Sequence, residues 1–381
     1  MLAEIIPSIA GLDQRKFKYN PRPSSSGPER CIRSMVYNAL GIEPKALPGR
    51  SILTMDDSTW HETLSIDWIN KSAYRLHSNQ MGIDCLELKS QFLDKEWYCK
   101  ACKRTIPRHM LHGHIDGILQ EPEELEHLFE HKAINHFTFQ AYESGDLIPY
   151  DYVAQVVIYY VGLKKILQKD LSFSILFVKN KNTAQYMEFH IEYDEQTDIA
   201  KIESYRVEYN NDGFPQIKFI KESFMEKVIA GTIEKYLLID KYVNENTLPK
   251  RQYGIDSWRC EYCGWNEYCW KDYGKEMEER KESIKVDDEI FGDIQIYYAI
   301  DKEMKSNEKQ LKVLKQKIKL YLINENAKYG LAGDCTAILS TKTKKSLNKD
   351  LISAEIIEQA TVKTTYEELK IRNKKDKEGE E

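Results

Sequence analysis

Two groups of residues in this chain could do chemistry, and the first is carboxylic. In GHIDGILQEPEELEHLFEHKAI an aspartate, Asp116, stands fourteen positions ahead of a Glu-x-Lys pair, Glu130 and Lys132. On extended backbone, residues two apart share a face, so Glu130 and Lys132 project one way and His131 the other. With Asp116 in the strand before them, two carboxylates and one ammonium meet in one cavity. Carboxylate oxygens are hard ligands suited to magnesium or manganese, and such an ion activates water and stabilises charge on a phosphodiester. An ammonium beside it would orient that water or hold the developing oxyanion. Taken alone, the three residues fit equally a solvated strand on which acid and base alternate.

The second group is made of thiols. WRCEYCGWNEYCW packs Cys260, Cys263 and Cys269 into ten residues, one short of a four-ligand metal site. Upstream, WYCKACKRTIPRHMLHGH spaces Cys99 and Cys102 as half a zinc site, which Cys85, His109, His112 or His114 could complete; the same residues could decorate a hairpin that holds no metal. His114, two before Asp116, would face the carboxylate cavity as a further polar contact.

The chain that must position these groups has 381 residues and a net charge of -6, which excludes a globally basic nucleic-acid binder and leaves only a local basic path. No apolar run nears the roughly 18 residues of a membrane helix, and the first residues lack the pattern of a secretory signal. The expectation is a cytoplasmic protein in which eight cysteines serve metals rather than disulfides. After an irregular segment, residues 1–27, CIRSMVYNALGI reads as a helix capped by Ser26, and DDSTWHETLSIDWINKSAYRL as a helix capped by Asp57 or Ser58 with His61 in its first turn. LELKSQFL, HMLHGHIDGIL and LEHLFEHKAI read as three neighbouring strands of one sheet. IPYDYVAQVVIYYVGLKKILQ is a helix, LSFSILFVKN a buried strand, QYMEFHIEYD with AKIESYRVEY a hairpin, and FMEKVIAGTIEKYLLIDKYV helical. Residues 28–280 then form an α/β or α+β core with a mixed sheet. Residues 281–373 carry a long charged helix over about 285–328 and two strands, DCTAILSTKTKKSL and VKTTYEELKIR, and residues 374–381 are expected to be disordered.

Asp116, Glu130 and Lys132, followed by Gln155 and Tyr159 in QVVIYY and preceded by His61 in MDDSTWHETL, resemble in kind and order the RecB-like PD-(D/E)xK nucleases. Cys31 in SSSGPERCIRSMVYNALGI, one cysteine ahead of the core, and Cys-x2-Cys-x5-Cys behind it resemble the iron-sulfur subgroup, which includes AddB-type helicase-nuclease subunits and the nucleases of CRISPR adaptation. The resemblance spans roughly residues 24–270. It implies a restriction-endonuclease-like core in which His61, Asp116, Glu130 and the backbone carbonyl of Ala133 or a neighbour bind magnesium or manganese. Lys132 positions hydroxide, and Gln155 with Tyr159 braces the substrate strand. It also implies a 4Fe-4S cluster on Cys31, Cys260, Cys263 and Cys269, for which zinc on the same thiols is the alternative. The implied activity is that of a DNA exonuclease acting on single strands or duplex ends in recombination, repair or replication, with a helicase or recombination protein as the implied partner. Arg33, Arg104 and Tyr159 are the candidate contacts to nucleic acid. The rival readings are a nuclease-like protein that binds DNA or a partner without cutting, and a restriction-type endonuclease.

Overall fold

The computed structural model describes residues 2–14, 19–88, 96–168, 171–209, 212, 214–273, 288–332 and 335–339. They fall into two compact units, Met1–Glu276 and Met277–Glu381.

The first unit is a mixed α+β structure. Helices α1 (Leu2–Ala10), α2 (Ile32–Ala39) and α3 (Gly49–Ile69) lead into six strands: β1 (Arg75–His77), β2 (Met81–Glu87), β3 (Glu96–Cys99), β4 (Arg104–Pro107), β5 (Met110–Ile115) and β6 (Gly117–Gln120). Then come β7 (Glu126–Ile134), α4 (His136–Glu143), α5 (Tyr150–Leu167), β8 (Ser174–Asn180), β9 (Tyr186–Asp194), β10 (Ile199–Tyr209), β11 (Pro215–Glu226) and α6 (Val228–Asn244), and the short α7 (Trp258–Glu261) and α8 (Asn266–Trp270).

A seven-stranded sheet in the order β1-β6-β7-β8-β9-β10-β11 organises the unit. Only β7 and β8 pair in parallel, with Glu130 opposite Leu176 and Lys132 opposite Val178. A parallel pair needs a crossover, and α4 with α5 supplies it. α5 is apolar nearly all round, as a helix buried on several sides must be: residues Val153 to Tyr160 are all buried. Gly162 brings it onto β2, where a Cβ would lie 2.7 Å from the Cα of Cys85. On this side of the sheet Leu128, Leu176, Val178 and Phe189 join the large core with α5 and α6. On the other side α3 covers a smaller cluster, Leu76, Leu119, Phe129 and Ile175, with Ile66 and Ile69.

Several expectations change in detail. α3 starts at Gly49, eight residues before the expected cap, so Asp57 and Ser58 lie inside it and His61 is in mid-helix. The N-cap of α2 is Cys31, not Ser26, whose hydroxyl donates to the Arg22 carbonyl instead. HMLHGHIDGIL is two strands in different sheets: β5 pairs with β2, β6 pairs with β1 and β7, and Asp116 sits at the break. A one-residue break lets the chain change sheets while keeping Asp116 between them. β11 includes Phe224 to Glu226, where a helix was expected, and the N-terminal segment carries α1. Most of LELKSQFL lies outside the described residues.

The second unit has α9 (Asp288–Asn324) followed by the hairpin β12 (Tyr329–Ala332) and β13 (Cys335–Ile338). The partner of DCTAILSTKTKKSL is thus the preceding segment; VKTTYEELKIR and the C-terminal tail lie outside the described residues. No described helix of either unit is long and apolar enough to cross a membrane.

Candidate active site and metal centres

The β6–β7 turn and the crossover bring four of the expected residues together. Asp116 Oδ2 accepts from the His131 amide at 2.8 Å, which fixes its carboxylate against β7. Glu130 is buried on the α5 side; its Oε1 accepts from Lys132 Nζ and from Gln155 Nε2, the latter at 2.7 Å, while its Oε2 is buried with no hydrogen-bond partner. Burial, then the charge of Asp116, pushes the Glu130 carboxyl up to about 8. Burial raises Asp116 as well, against the pull of Lys132. Burial also disfavours the charge on Lys132, but Glu130 and Asp116 outweigh it and hold the ammonium above the ordinary lysine value. The centre therefore holds two carboxyls that resist ionising together, a resistance that one ammonium only partly offsets.

A third carboxylate joins them. Glu62, on the face of α3 that also carries Ile66 and Ile69, is raised to about 7 by burial and then by Asp116. Gln80 Nε2 bridges Glu62 Oε1 at 3.2 Å and Asp116 Oδ1 at 3.3 Å. His61, the expected helix ligand, lies 3.8 Å from Asp57, and burial, then the charge of Lys179, lowers its pKa. Helical spacing could have found Glu62, because it precedes Ile66 by four and Ile69 by seven on the sheet-facing stripe. Ala133 follows Lys132 on β7 and pairs with Lys179 in the parallel ladder.

Gln155 and Tyr159 share one face of α5, and Gln155 links the Tyr159 hydroxyl to Glu130. Tyr159 is buried against Gly113, where an added Cβ would stand 2.7 Å from its hydroxyl. It braces the strand that leads to Asp116 rather than showing a ring to solvent.

The four expected cluster cysteines come from the two ends of the unit and lie near enough to feel one another's charge, but unlike the Cys99 group below they do not bring three ligand atoms within 4.8 Å of one another. Cys31 caps α2, Cys260 lies in α7, and Cys269 in α8. Burial first, then the neighbouring thiols, raises Cys263, with contributions from Cys31, Cys260 and Cys269. The segments are zipped together: Tyr253 donates to the Glu29 carbonyl at 2.6 Å, Lys45 N to Gly264 O at 2.7 Å and Trp265 Nε1 to Ile42 O at 2.8 Å, and Arg259 pairs with Glu29. Arg33 belongs to this zipper, donating to Pro249 O at 2.6 Å and Tyr37 Oη at 2.7 Å.

A separate group was only half legible. Cys99, Cys102, His112 and His114 place one ligand atom each within 4.8 Å of all the others and could bind a metal ion. Of the other candidates, Cys85 is buried beneath α5 and His109 lies 3.9 Å from Glu87. Arg104, expected at nucleic acid, holds Asp84 with two hydrogen bonds of 2.9 and 2.8 Å. In comparisons with protein-family models, with curated proteins and with solved structures, the chain matches none.

Proposed function

We propose that this protein is a metal-dependent deoxyribonuclease whose active centre is Asp116, Glu130 and Lys132, with Glu62 as an additional acidic ligand. The observation that carries the reading is the buried, unpartnered Glu130 Oε2 beside two further carboxylates. A buried carboxylate oxygen without a donor is costly unless a cation or ordered water occupies the space before it. Hard oxygens suit magnesium or manganese, which would lower the pKa of a bound water and offset charge on a phosphodiester. Lys132, held by Glu130, is placed to keep a proton and a positive charge near the attacked phosphate. Gln155 fixes the orientation of Glu130, and Tyr159 keeps the Asp116 strand in place.

The substrate under this reading is DNA, single-stranded or with ends, which the protein degrades as an exonuclease in recombination, repair or replication, with a helicase or recombination protein as partner. Cys31, Cys260, Cys263 and Cys269 suit a 4Fe-4S cluster, with zinc on the same thiols as the alternative. Either would act as a clasp that ties the start of the unit to its end.

The test is cleavage of end-labelled single-stranded and duplex DNA in magnesium or manganese by the wild type and Asp116→Ala. Cleavage lost in the variant with DNA affinity nearly unchanged supports the reading. Cleavage that persists in Asp116→Ala removes the site assignment, and wild-type binding without cleavage makes the protein a nuclease-like binder. Cutting of closed circles would make it an endonuclease.

A further inference from the structure

We propose that Cys99, Cys102, His112 and His114 form a closed tetrahedral zinc site that fixes the strand delivering Asp116. Sequence leaves four candidates to complete the Cys99 and Cys102 pair; strand pairing selects two. His112 and His114 stand two apart on β5, on one face, opposite Asp84 and Gly82 of β2. The turn between β3 and β4 brings the thiols over that face, with the Cys102 amide directed at Cys99 Sγ at 3.4 Å. Gly82 makes room: a Cβ there would lie 2.1 Å from Cys102 Sγ.

His114 Nε2 lies 3.2 Å from Cys102 Sγ and 3.5 Å from Cys99 Sγ, and His112 Nε2 lies 3.4 Å from Cys102 Sγ. A zinc tetrahedron with bonds of about 2.3 Å to sulfur and about 2.0 Å to nitrogen puts sulfur and nitrogen about 3.5 Å apart. His112 Nδ1 is 2.7 Å from Asp84 Oδ1, and Asp84 is held by Arg104. That is the carboxylate-histidine support which orients a zinc ligand and leaves Nε2 for the metal. Four protein donors leave no open position, so the site is structural.

Its place gives it a second consequence. Beyond His114 the strand runs through Ile115 to Asp116, and between the two histidines Gly113 turns its other face to Tyr159. The metal therefore ties the β3–β4 hairpin to the ribbon that sets both Asp116 and Tyr159. The zinc assignment stands by itself; the positioning of Asp116 rests on the proposed nuclease.

The experiment uses the full chain: metal analysis, the visible spectrum after cobalt substitution, and DNA cleavage. The wild type is expected to hold one zinc at this site, lost in Cys102→Ser and His114→Gln, while whatever metal the thiols of Cys31, Cys260, Cys263 and Cys269 hold is unchanged. His114→Cys should keep the zinc, the tetrahedral cobalt bands and cleavage. His114→Gln should lose kcat with KM for DNA little changed. If the ligand variants fail to fold, Asp84→Asn tests the same site, with zinc affinity expected to fall about 10–100-fold. A wild type without zinc at this site, or zinc retained in His114→Gln, overturns the assignment. Zinc bound as expected in a chain that cuts no DNA leaves the centre standing and removes the nuclease instead.

An independent observation concerns α9, where the apolar side chains recur in heptads. Tyr297, Met304, Leu311 and Ile318 form one row, and Ile300, Leu314 and Tyr321 the second with Asn307 as its polar member. The seven apolar ones are between 48% and 65% exposed. Three and a half heptads of this kind form a coiled-coil seam. From it we infer that α9 pairs antiparallel with α9 of a second copy of this chain. Charge selects the occupant and the direction, because Asp301, Glu303 and Glu308 precede Lys309, Lys312, Lys315, Lys317 and Lys319. An antiparallel register that sets Ile300 against the partner's Ile318 brings Asp301 to the partner's Lys315 and Glu303 to the partner's Lys317. A parallel pair would set Glu303 against the partner's Glu308 on both flanks, whereas this register leaves a single like-charged contact, Glu308 with the partner's Glu308 at the dyad.

Sedimentation of the full chain should show a dimer. Lys315→Glu with Lys317→Glu should dissociate it, and adding Asp301→Lys with Glu303→Lys should restore it. A monomeric wild type, or a dimer indifferent to the charge reversal, overturns the inference.

Discussion

The carboxylate centre and the cysteine clasp are built on opposite plans. In the first, Asp116, Glu130 and Lys132 come from two consecutive strands and their turn, and Gln155 from the helix that follows, so each partner lies within about forty residues of the next. In the second, Cys31 lies near Cys260, Cys263 and Cys269 from the other end of the unit, and under the proposed function all four hold one metal centre. The carboxylate centre concentrates charge in a buried place and leaves one oxygen unsatisfied, a cost that a folded chain sustains where a ligand removes it. The clasp spends its hydrogen bonds on closure, with arginines and tyrosines saturating the carbonyls of the opposite segment. One region leaves a buried oxygen without a partner, and the other links the two ends of the unit through hydrogen bonds.

That contrast can be broken most severely at the clasp. Joining positions 31 and 260 closes a loop of about 230 residues, so Cys269→Ser, by removing a ligand, should cost up to about 5 kcal/mol by the chain-entropy model. A thermal or urea melt reads it; an unchanged melt would mean that the zipper of hydrogen bonds suffices without a metal. Next in size is Glu130→Gln, which keeps the shape but removes the charge. Cleavage should fall about 10³-fold, roughly 4 kcal/mol in the barrier, and folding stability should fall as well, because the buried Lys132 ammonium loses its carboxylate partner.

A third measurement probes the closure side through pH. Lys235 Nζ donates to the Gly27 carbonyl in the segment leading to Cys31, and burial lowers its pKa to about 8. The unfolded lysine titrates near 10.4. Between those values the unfolded chain holds the extra proton, so stability should rise with pH from about 8 to about 10.5, by at most about 3 kcal/mol, and stay flat below. In Lys235→Met that slope should vanish. Smaller again, Glu62→Gln should lower cleavage about 10- to 100-fold, while His61→Gln should change it little. The reverse ranking would restore the histidine as the helix ligand. Smallest is Gly113→Ala, whose methyl meets Tyr159; a loss of about 1–2 kcal/mol is expected in a melt, as for an overpacked core.

Much of the carboxylate centre was legible because strand and helix periods are local rules. Alternation put Glu130 and Lys132 on one face, and four-residue spacing put Gln155 with Tyr159 on another, before any packing was known. A helix that starts at Asp57 puts His61 in its first turn; starting at Gly49 instead, the same helix carries Glu62 on the stripe with Ile66 and Ile69 that faces the sheet. The split of HMLHGHIDGIL was missed for a different reason. A continuous alternation does not reveal that Asp116 leaves one pair of strands for another.

By itself the sequence determined which atoms are available and how they repeat: hard oxygens around Asp116, soft sulfurs in close pairs, and the mixed α+β alternation of elements. Only the tertiary structure decided which of those atoms meet. It set Glu62 beside Asp116 and His61 beside Asp57, brought His112 and His114 rather than Cys85 and His109 to Cys99 and Cys102, and placed Cys31 near thiols more than two hundred residues away. The physical reason is that periodicity depends on neighbouring dihedrals, whereas ligand choice depends on strand register and on which faces the long-range packing buries together.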